Sequence, residues 1–287
     1  MDSHGGPLDD PILHDLNSAQ YQAVTHERGP LLILAGAGSG KTRAITRRIA
    51  WLVRGRAVPP SRILAVTFTN KAAAEMRDRV SHMLGGEDAP RWMGTFHSIC
   101  LRMLRRYAER LGYPRDFVVY DDDDSESLLR GILKRMDLPR EGVRAFASYI
   151  DSQKNEGLLV PPEARSPRER VACDVFAAYQ EELKSNGAMD FGDLLALTLK
   201  LLQDHEDVRA EVQDRFDYVL VDEFQDTNVV QYRLLQRVAE GHRNLCVVGD
   251  DDQSIYSWRG ARVENILEFS KEDRKSTRLN SSHVSQS

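Results

Sequence analysis

Four short runs of apolar residues, each followed by a polar turn, dominate the pattern of the chain. They cover residues 30–35, 62–68, 217–223 and 244–250, and their apolar positions are mainly Val, Ile and Leu. A strand buried on both faces reads as such a continuous apolar run, whereas a half-buried strand alternates apolar with polar residues. The four runs therefore predict strands of a parallel sheet that helices cover on both sides.

Helical periodicity fills the stretches beside these runs. Apolar residues recur every three or four positions over residues 41–53, 70–84, 95–111 and 228–240. Strands that alternate with helices of this length are typical of α/β proteins. We therefore predict an α/β fold in which a parallel sheet is flanked by helices.

Residues 116–190 break the alternation. Helical patterns occur there at 125–136 and 174–186, and no convincing strand is visible. We predict an all-helical inserted subdomain over 116–190. The interrupted domain then consists of a first part, 1–115, and a second part, 191–273.

Two polar segments need separate interpretations. The four aspartates at 121–124 precede a helical pattern, and they are expected to cap that helix because consecutive side chains cannot all face one metal ion. Residues 274–287 have no periodicity and are rich in Ser, Thr and Asn. We interpret them as a non-native or disordered tail and leave them out of the fold prediction.

Charge is distributed unevenly along the chain. The net charge is −5, yet residues 41–115 contain 16 Lys/Arg and 5 Asp/Glu, a local balance of +11. One interpretation is a set of arginine-rich helices with solvated faces. The other is a basic track for a phosphate backbone, and charge alone does not decide between them.

Membrane and cysteine signals are weak. No apolar run approaches the roughly 18 residues that span a bilayer, and the acidic N-terminal residues do not form a signal peptide, so we expect a cytoplasmic protein. Cys100, Cys173 and Cys246 are widely spaced and odd in number. They suggest neither a disulfide framework nor a zinc site, and we expect them to be buried apolar residues.

The sequence AGAGSGKT follows the first apolar run and opens a helix. A phosphate chain needs close approach to backbone N–H groups and gains from a helix N-terminus, which small residues in the turn allow. Lys41 would neutralise the β- and γ-phosphates of ATP, and the Thr42 hydroxyl would bind Mg²⁺. Ala35 departs from the general pattern, which has Gly there. Contacts with ATP are predicted for Ala35, Gly36, Ala37, Gly38, Ser39, Gly40, Lys41, Thr42 and Arg43.

The run DYVLVDE ends in two carboxylates, Asp222 and Glu223. In a parallel sheet this end lies beside the phosphate loop, where Asp222 can hold Mg²⁺ and Glu223 can orient or deprotonate the attacking water. Alternatively, both carboxylates cap the next helix. Lys41 and Asp222 are separated by about 180 residues, more than a compact nucleotide-binding core needs, which supports the predicted insertion.

A phosphate loop and an acidic strand end occur in many classes of nucleotide hydrolase, so further motifs have to decide the function. From about residue 16 to 269 the chain resembles the UvrD/PcrA/Rep group of superfamily 1 DNA helicases. The motifs that carry the resemblance, in chain order, are LNSAQYQAV, AGAGSGKT, AVTFTNKAAAEMRDRV, GTFHSICLRMLRR, NGAMDFGDLL, VDEFQDTN and GDDDQSIYSWRGA. The resemblance implies a RecA-like P-loop domain with a helical insertion, and it includes Ala35.

The resemblance also implies roles for three glutamines. Gln20 would contact the adenine, Gln225 would couple the nucleotide state to DNA contacts, and Gln253 would lie beside the γ-phosphate. Taken alone, without the neighbouring motifs, Gln20 is better explained as an exposed helix residue. Asp190 and Asp193, in NGAMDFGDLL, are assigned mainly structural roles.

Contacts with single-stranded DNA are implied for two more segments and for the aromatic end of GDDDQSIYSWRGA. Aromatic rings can stack on bases, and hydroxyl, amide and imidazole groups can bind phosphates and sugars. Each of three residues also has a structural alternative. Phe68 could pack in the core, His97 could simply begin a helix, and Trp258 could be a buried core residue. The predicted DNA-binding residues are Thr67, Phe68, Thr69, Asn70, Thr95, His97, Tyr256, Trp258 and Arg259.

The resemblance as a whole implies an ATP-dependent 3′ to 5′ DNA helicase and translocase that acts in DNA repair or replication. Expected ligands and partners are ATP, Mg²⁺, single-stranded DNA and its junctions with duplex DNA, a second RecA-like domain absent from this chain, and accessory repair proteins. The alternatives are a nucleotide-dependent DNA-binding or regulatory module without motor activity, and the helicase part of a RecB- or AddA-type nuclease. We expect this chain alone to be weakly active or inactive.

Overall fold

The computed structural model describes residues 11–36, 40–86, 89–139 and 142–250, together with the backbone of 277–278. Two compact units are present. The first unit draws its residues from Met1–Ile99, Ala210–Thr227 and Val238–Ser287, and the second from Cys100–Arg209 and Asn228–Arg237.

Parallel strands occur in both units. In chain order the strands are β1 Leu31–Leu34, β2 Ile63–Thr67, β3 Trp92–Thr95, β4 Val118–Val119, β5 Ala188–Met189, β6 Tyr218–Val221, β7 Leu245–Gly249 and β8 Thr277–Arg278. Six of them form one sheet in the order β3-β2-β6-β7-β1-β8, and each neighbouring pair is parallel. The predicted parallel α/β fold is confirmed.

Helices surround these strands and build most of the second unit. Their bounds are α1 Ser18–Thr25, α2 Lys41–Arg54, α3 Asn70–Met83, α4 Phe96–Tyr107, α5 Asp122–Arg135, α6 Val143–Asn155, α7 Pro167–Ser185, α8 Phe191–Asp204, α9 Glu206–Arg215 and α10 Val229–Ala239. Among the helices that the structure describes, none has the length and apolar character needed to cross a membrane.

Two strands of the main sheet do not follow the apolar pattern. β3 has the sequence WMGT, and its Gly and Thr interrupt the Val/Ile/Leu run by which the other strands are recognised. β8 lies in the segment 274–287 that the sequence analysis left out, and its two residues pair with β1 through the backbone. A two-residue strand is too short to leave a periodic signal.

The core of the first unit lies at the sheet. Ile33, Ala65, Leu220 and Val248 belong to four different strands and are fully buried together with apolar residues of α2 and α3. Every residue of β2, β6 and β7 is buried. This is the burial on both faces that the continuous apolar runs predict.

The second unit has a separate helical core in which Leu133, Phe176 and Leu183 are fully buried. Its helix α5 begins as predicted, because the Asp121 side chain accepts a hydrogen bond from the Asp124 N–H at 2.9 Å. The absence of strands predicted for 116–190 is wrong: β4 and β5 form a short parallel pair. Residues 116–190 fall within this unit, and their status as an inserted domain stays a prediction.

The cysteines match their predicted environment. Cys100, Cys173 and Cys246 are all free and buried. Burial raises the pKa of the Cys100 thiol to about 12 and that of the Cys246 thiol to about 11. These thiols therefore behave as small apolar side chains.

Candidate nucleotide and DNA site

The carboxyl ends of three neighbouring strands, β1, β6 and β7, frame the candidate nucleotide site. Ala35 follows β1, and its N–H donates to the Gly249 carbonyl at the end of β7 at 3.1 Å. Asp222 follows β6 and Asp250 follows β7. Since these strands are parallel neighbours, the polar residues after them lie at one edge of the sheet.

Gly40 and Lys41 connect the phosphate turn to α2. Gly40 has a φ of 87°, in the left-handed region, and a methyl group at its Cα would lie 3.1 Å from Gln20 Nε2. Both facts favour glycine there. Lys41 is the first residue of α2, as predicted, so its N-terminus points a partial positive charge at the turn. The predicted contacts Ala37, Gly38 and Ser39 lie outside the described residues, and Gly36 precedes them.

Lys41 lies between two carboxylates. Its Nζ donates to Asp250 Oδ2 at 2.9 Å and lies 3.6 Å from Glu223 Oε2. The Lys41 side chain is 9% exposed and Asp250 is fully buried, whereas Glu223 is 40% exposed. We call Lys41, Glu223 and Asp250 the phosphate-site cluster.

The Asp222 carboxyl group is buried beside this cluster. Burial, and next the negative charge of Glu223, raise the pKa of Asp222 to about 6, while Lys41 and the Glu223 N–H lower it only in part. The Glu223 N–H donates to Asp222 Oδ1 at 3.0 Å. A bound divalent cation would compensate the negative charge of Asp222 that Lys41 and the Glu223 N–H leave unbalanced. Asp222 and the half-buried Thr42 offer the hard oxygen donors that Mg²⁺ prefers, so these residues fit the ion.

Sequence reasoning missed Asp250 and the contacts of Gln225. Gln225 is buried and hydrogen-bonds both Glu223 and the backbone N–H of Asp250. A signal for Asp250 was available, because it directly follows an apolar strand in the same way as Asp222. The contacts of Gln225 depend on the turn Phe224–Asp226, whose course the sequence does not show.

The predicted adenine-binding Gln20 lies on α1, next to the phosphate turn. Its Oε1 accepts from the Asn17 N–H in a capping box, and Gln20 itself is 8% exposed. The side chain is therefore buried and fixed, not an exposed helix position. The adenine contact stays a prediction.

Arginines of α2 hold the segment that carries Gln20. Arg48 is 2% exposed and donates to the carbonyl oxygens of residues 23, 24 and 26, at the end of α1. Arg47 donates to the Ile12 carbonyl at 2.9 Å. Arg43 donates to the Asp15 carbonyl at 3.0 Å, and its predicted contact with ATP stays a prediction.

These contacts also change the interpretation of the basic region 41–115. Besides the arginines of α2, Arg62 pairs with Asp217 at 2.7 Å, and Arg77 donates to the Met93 carbonyl. Part of the local charge of +11 is therefore committed inside the protein. The basic track for DNA stays a prediction that rests on fewer arginines than the count suggests.

The predicted DNA-binding residues of the described chain lie at two adjacent strand ends. Thr67 ends β2 and is paired in register with Thr95, which ends β3. Phe68 is half-buried and makes an edge-to-face contact with Phe96, with ring centroids 5.5 Å apart. The structure thus brings both predicted segments together and leaves part of the Phe68 ring accessible.

The hydroxyl and imidazole groups in these segments have internal roles. Thr67 Oγ1 donates to the Thr69 carbonyl, Thr69 caps α3, and Thr95 Oγ1 accepts from the Ser98 N–H. Burial lowers the pKa of His97, so the neutral imidazole is favoured. Asn70 is exposed at the start of α3.

The remaining predicted site residues lie outside the described residues. They are Gln253, Tyr256, Trp258 and Arg259. Asp250, the last described residue before them, already belongs to the phosphate-site cluster. Their roles stay predictions.

Comparisons with known proteins show which family the chain resembles. Residues 16–274 match the family model of the UvrD/REP helicase N-terminal domain. The chain is 45% identical over 267 residues to the ATP-dependent DNA helicase PcrA of Staphylococcus epidermidis, and 45% identical over the same length to the protein of that name from Staphylococcus aureus. Each match covers 91% of this chain and 36% of the relative, so the chain spans about a third of the length of these helicases.

Proposed function

The chain belongs to the UvrD/REP helicase N-terminal domain family, and we propose that it is the ATP-binding part of a DNA helicase that moves 3′ to 5′ along single-stranded DNA. The observation that carries the proposal is the phosphate-site cluster. It places a buried lysine at a helix N-terminus and next to the carboxyl ends of three parallel strands. Such an arrangement is suited to bind and cleave a nucleoside triphosphate.

Binding of ATP would replace contacts that exist within the protein. Lys41 Nζ is held by Asp250 and Glu223, and the phosphates would compete with both for the ammonium group. Backbone N–H groups at the start of α2 add favourable dipoles. Gln20, fixed beside Gly40, would contact the adenine.

Hydrolysis would be assisted by Glu223. Its carboxylate is 40% exposed at the site, so it can accept a hydrogen bond from the attacking water and take its proton. Thr42 and Asp222 would hold Mg²⁺, which, when bound, neutralises charge on the phosphate oxygens. Within the described residues no three acidic, His or Cys side chains form a metal site, so the ion would rely on phosphate oxygens as well.

Single-stranded DNA and its junctions with duplex DNA are the proposed substrates. Phe68, at the end of β2, would stack on a base, and Asn70 would contact the backbone. Gln253, next to the γ-phosphate, would lie on the same loop as the DNA-contacting Tyr256, Trp258 and Arg259. Hydrolysis would thereby change how the strand is held.

A second RecA-like domain would complete the motor. The chain covers 36% of its relatives, and an arginine contributed across a domain interface can accelerate phosphoryl transfer by about 10³- to 10⁵-fold. We therefore propose that the isolated chain binds ATP, hydrolyses it slowly and does not unwind DNA. The proposed setting is DNA repair or replication in the cytoplasm, with accessory repair proteins.

The test uses a protein that also contains the second RecA-like domain. Trp258→Ala should weaken the stimulation of ATP hydrolysis by single-stranded DNA and leave nucleotide affinity without DNA nearly unchanged. Equal loss of both would mean that Trp258 is a core residue. Robust duplex unwinding by the isolated 287-residue chain would contradict the proposed need for the second domain.

A further inference from the structure

Gln225 connects the ends of two strands at the nucleotide site. It lies in the short turn Phe224–Asp226 after β6 and is 4% exposed. Its Nε2 donates to Glu223 Oε2 at 2.6 Å, and its Oε1 accepts from the Asp250 N–H at 3.0 Å. The amide nitrogen therefore binds the residue after β6, and the amide oxygen binds the backbone after β7.

The two partners fix the orientation of this amide. A carboxylate only accepts hydrogen bonds, and a backbone N–H only donates. Rotating the amide by 180° would place two acceptors together at Glu223 and two donors together at Asp250. Gln225 can therefore satisfy both partners in one orientation only.

Glu223 needs such a partner because little else holds its carboxylate. The residue is in the left-handed region, with a φ of 51°, and its side chain is 40% exposed. Within the described residues, the other contact of this carboxylate is with Lys41 and is longer, at 3.6 Å, and that lysine would also have to bind phosphates. A general base works only when its carboxylate stays within hydrogen-bond reach of the water.

We propose that Gln225 is a positioning residue for ATP hydrolysis: it holds the Glu223 carboxylate through Nε2 and ties that position to the end of β7 through the Asp250 N–H. This inference rests on the proposed function, in which Glu223 acts on the attacking water. It also gives the coupling role expected for Gln225 a physical route, since residues 251–259 follow Asp250 directly.

A purely structural explanation is that Gln225 only ties β6 to β7. Two variants separate the explanations. Gln225→Glu keeps an oxygen that can accept from the Asp250 N–H but loses the donor to Glu223. Gln225→Leu loses both hydrogen bonds at similar volume.

The matched control is Gln231→Leu. Gln231 is also buried, at 7% exposed, and its Oε1 likewise accepts from a backbone N–H, that of Asn228, at 3.0 Å. It lies in the second unit, and no contact with the nucleotide is proposed for it. Gln225→Leu and Gln231→Leu therefore both remove a buried glutamine, and only Gln225→Leu removes one at the proposed nucleotide site.

The experiment measures single-turnover ATP hydrolysis by the 287-residue chain in excess over Mg-ATP, and the Kd of Mg-ATP by displacement of a fluorescent analogue. We expect Gln225→Glu and Gln225→Leu to lower the first-order rate constant by about 10-fold or more, part of the roughly 10²- to 10⁴-fold that a positioned base contributes. The Kd of Gln225→Leu should change by less than about threefold, well below one factor of ten in affinity. Gln231→Leu should hydrolyse ATP at the wild-type rate.

Four results would overturn the inference. Wild-type hydrolysis by Gln225→Glu, with slow hydrolysis by Gln225→Leu, would show that only the tie to β7 matters. Parallel loss of rate and affinity would show a general structural defect. If the wild-type chain hydrolyses ATP and both Gln225 variants do so at the same rate, the inference is contradicted and the proposed function is not. A wild-type chain that neither binds nor hydrolyses ATP would contradict the proposed function and the inference with it.

Discussion

The phosphate-site cluster of the first unit has a chemical counterpart in the second unit. Lys154 Nζ lies 2.7 Å from Asp190 Oδ2 and 2.8 Å from Asp193 Oδ1. We call these three residues the Lys154 cluster. Each cluster therefore consists of one buried lysine between two carboxylates, although the Lys41–Glu223 contact is longer, at 3.6 Å, than the others.

Neighbouring side chains supply further hydrogen bonds to the carboxylates of the Lys154 cluster. Tyr179 OH donates to Asp190 Oδ2 at 2.9 Å, and Gln180 Nε2 donates to Asp193 Oδ1 at 3.0 Å. Lys154 is 1% exposed, and a methyl group on Gly192 would lie 2.7 Å from its Cδ. The carboxylates are satisfied by this unit alone.

The phosphate-site cluster differs because one of its carboxylates remains accessible. Glu223 is 40% exposed, whereas no side chain of the Lys154 cluster exceeds 13%. Under the proposed function, phosphates would reach Lys41 from the side of Glu223 and substitute for its carboxylate partners. The comparison teaches that a buried lysine between acids marks a ligand site only where a ligand can replace one of those acids.

Shifted pKa values do not distinguish the two regions. Burial is the main cause that raises the pKa of Asp222 to about 6 in the first unit and that of Asp193 to about 6 in the second. Structural ion pairs perturb pKa values as active sites do. The assignment of the nucleotide site to the first unit therefore rests on the exposure of Glu223 and on the helix N-terminus at Lys41.

The largest predicted effect is the loss of stability on Lys154→Ala. Removal of the lysine leaves Asp190 and Asp193 buried without their cation, which costs about 3–5 kcal/mol. The free energy of unfolding from urea titration measures this loss. The control is Lys200→Ala, which breaks a half-exposed pair with Asp204 and should cost about 1 kcal/mol or less. Equal effects of the two variants would remove the distinction between buried and exposed pairs.

Lys41→Ala should have the next largest effect, on chemistry. Loss of a preorganised positive donor lowers the rate of a charged reaction by about 10²- to 10³-fold. Single-turnover ATP hydrolysis measures it, again with Lys200→Ala as the control. Hydrolysis at the wild-type rate by Lys41→Ala would refute the phosphate-loop assignment.

The pH dependence of stability should show a smaller effect at Asp193. Burial raises its pKa from 3.8 to about 6, so the folded state holds the proton more tightly than the unfolded chain. The stability that Asp193 contributes is therefore full below about pH 4 and is lost as the pH rises to about 6, by at most about 1.4 kcal/mol per pH unit.

Asp193→Asn cannot ionise and should lack this dependence. Its free energy of unfolding, measured against wild type from about pH 4 to pH 7, should rise relative to the wild-type value until the pH passes about 6. A constant or falling difference would mean that Lys154 compensates the Asp193 charge fully.

The smallest predicted effect concerns Asp250→Asn. The neutral side chain keeps its shape and its backbone N–H but no longer competes with phosphates for Lys41. Binding of Mg-ATP should tighten by about 1 kcal/mol, the net contribution of one hydrogen bond, or roughly fivefold in Kd. Weaker binding by Asp250→Asn, measured by displacement of a fluorescent nucleotide, would show that Asp250 holds Lys41 in place for the nucleotide.

The sequence predicted most of the first unit because its signals are local. Buried parallel strands leave continuous apolar runs, and the start of α2 at Lys41 follows a glycine-rich turn. β3 escaped prediction because WMGT packs as a strand without such a run. Periodicity therefore recovered the strands that bear the nucleotide motifs and missed the two outer strands of the same sheet, β3 and β8.

Pairings between distant residues could not be predicted in this way. Lys41 and Asp250 are separated by 209 positions, and no local pattern relates them. Arg48 is an ordinary basic position in α2 until the structure shows its three carbonyl partners. Only the strand order, which brings the ends of β1 and β7 together, explains why Lys41 has a buried counterion.

Thermal unfolding of wild type, Lys41→Ala and Lys154→Ala, each with and without Mg-ATP, tests the distinction between the two clusters most directly. A ligand at about 100 times its Kd stabilises the folded state by about 2.7 kcal/mol, so binding appears as a rise in Tm. Lys154→Ala should have a lower Tm without nucleotide and keep the rise with it. Lys41→Ala should also have a lower Tm without nucleotide, because the fully buried Asp250 loses its cation, and it should lose the rise with nucleotide. A nucleotide-induced rise that survives in Lys41→Ala and disappears in a folded Lys154→Ala would contradict the assignment of both clusters.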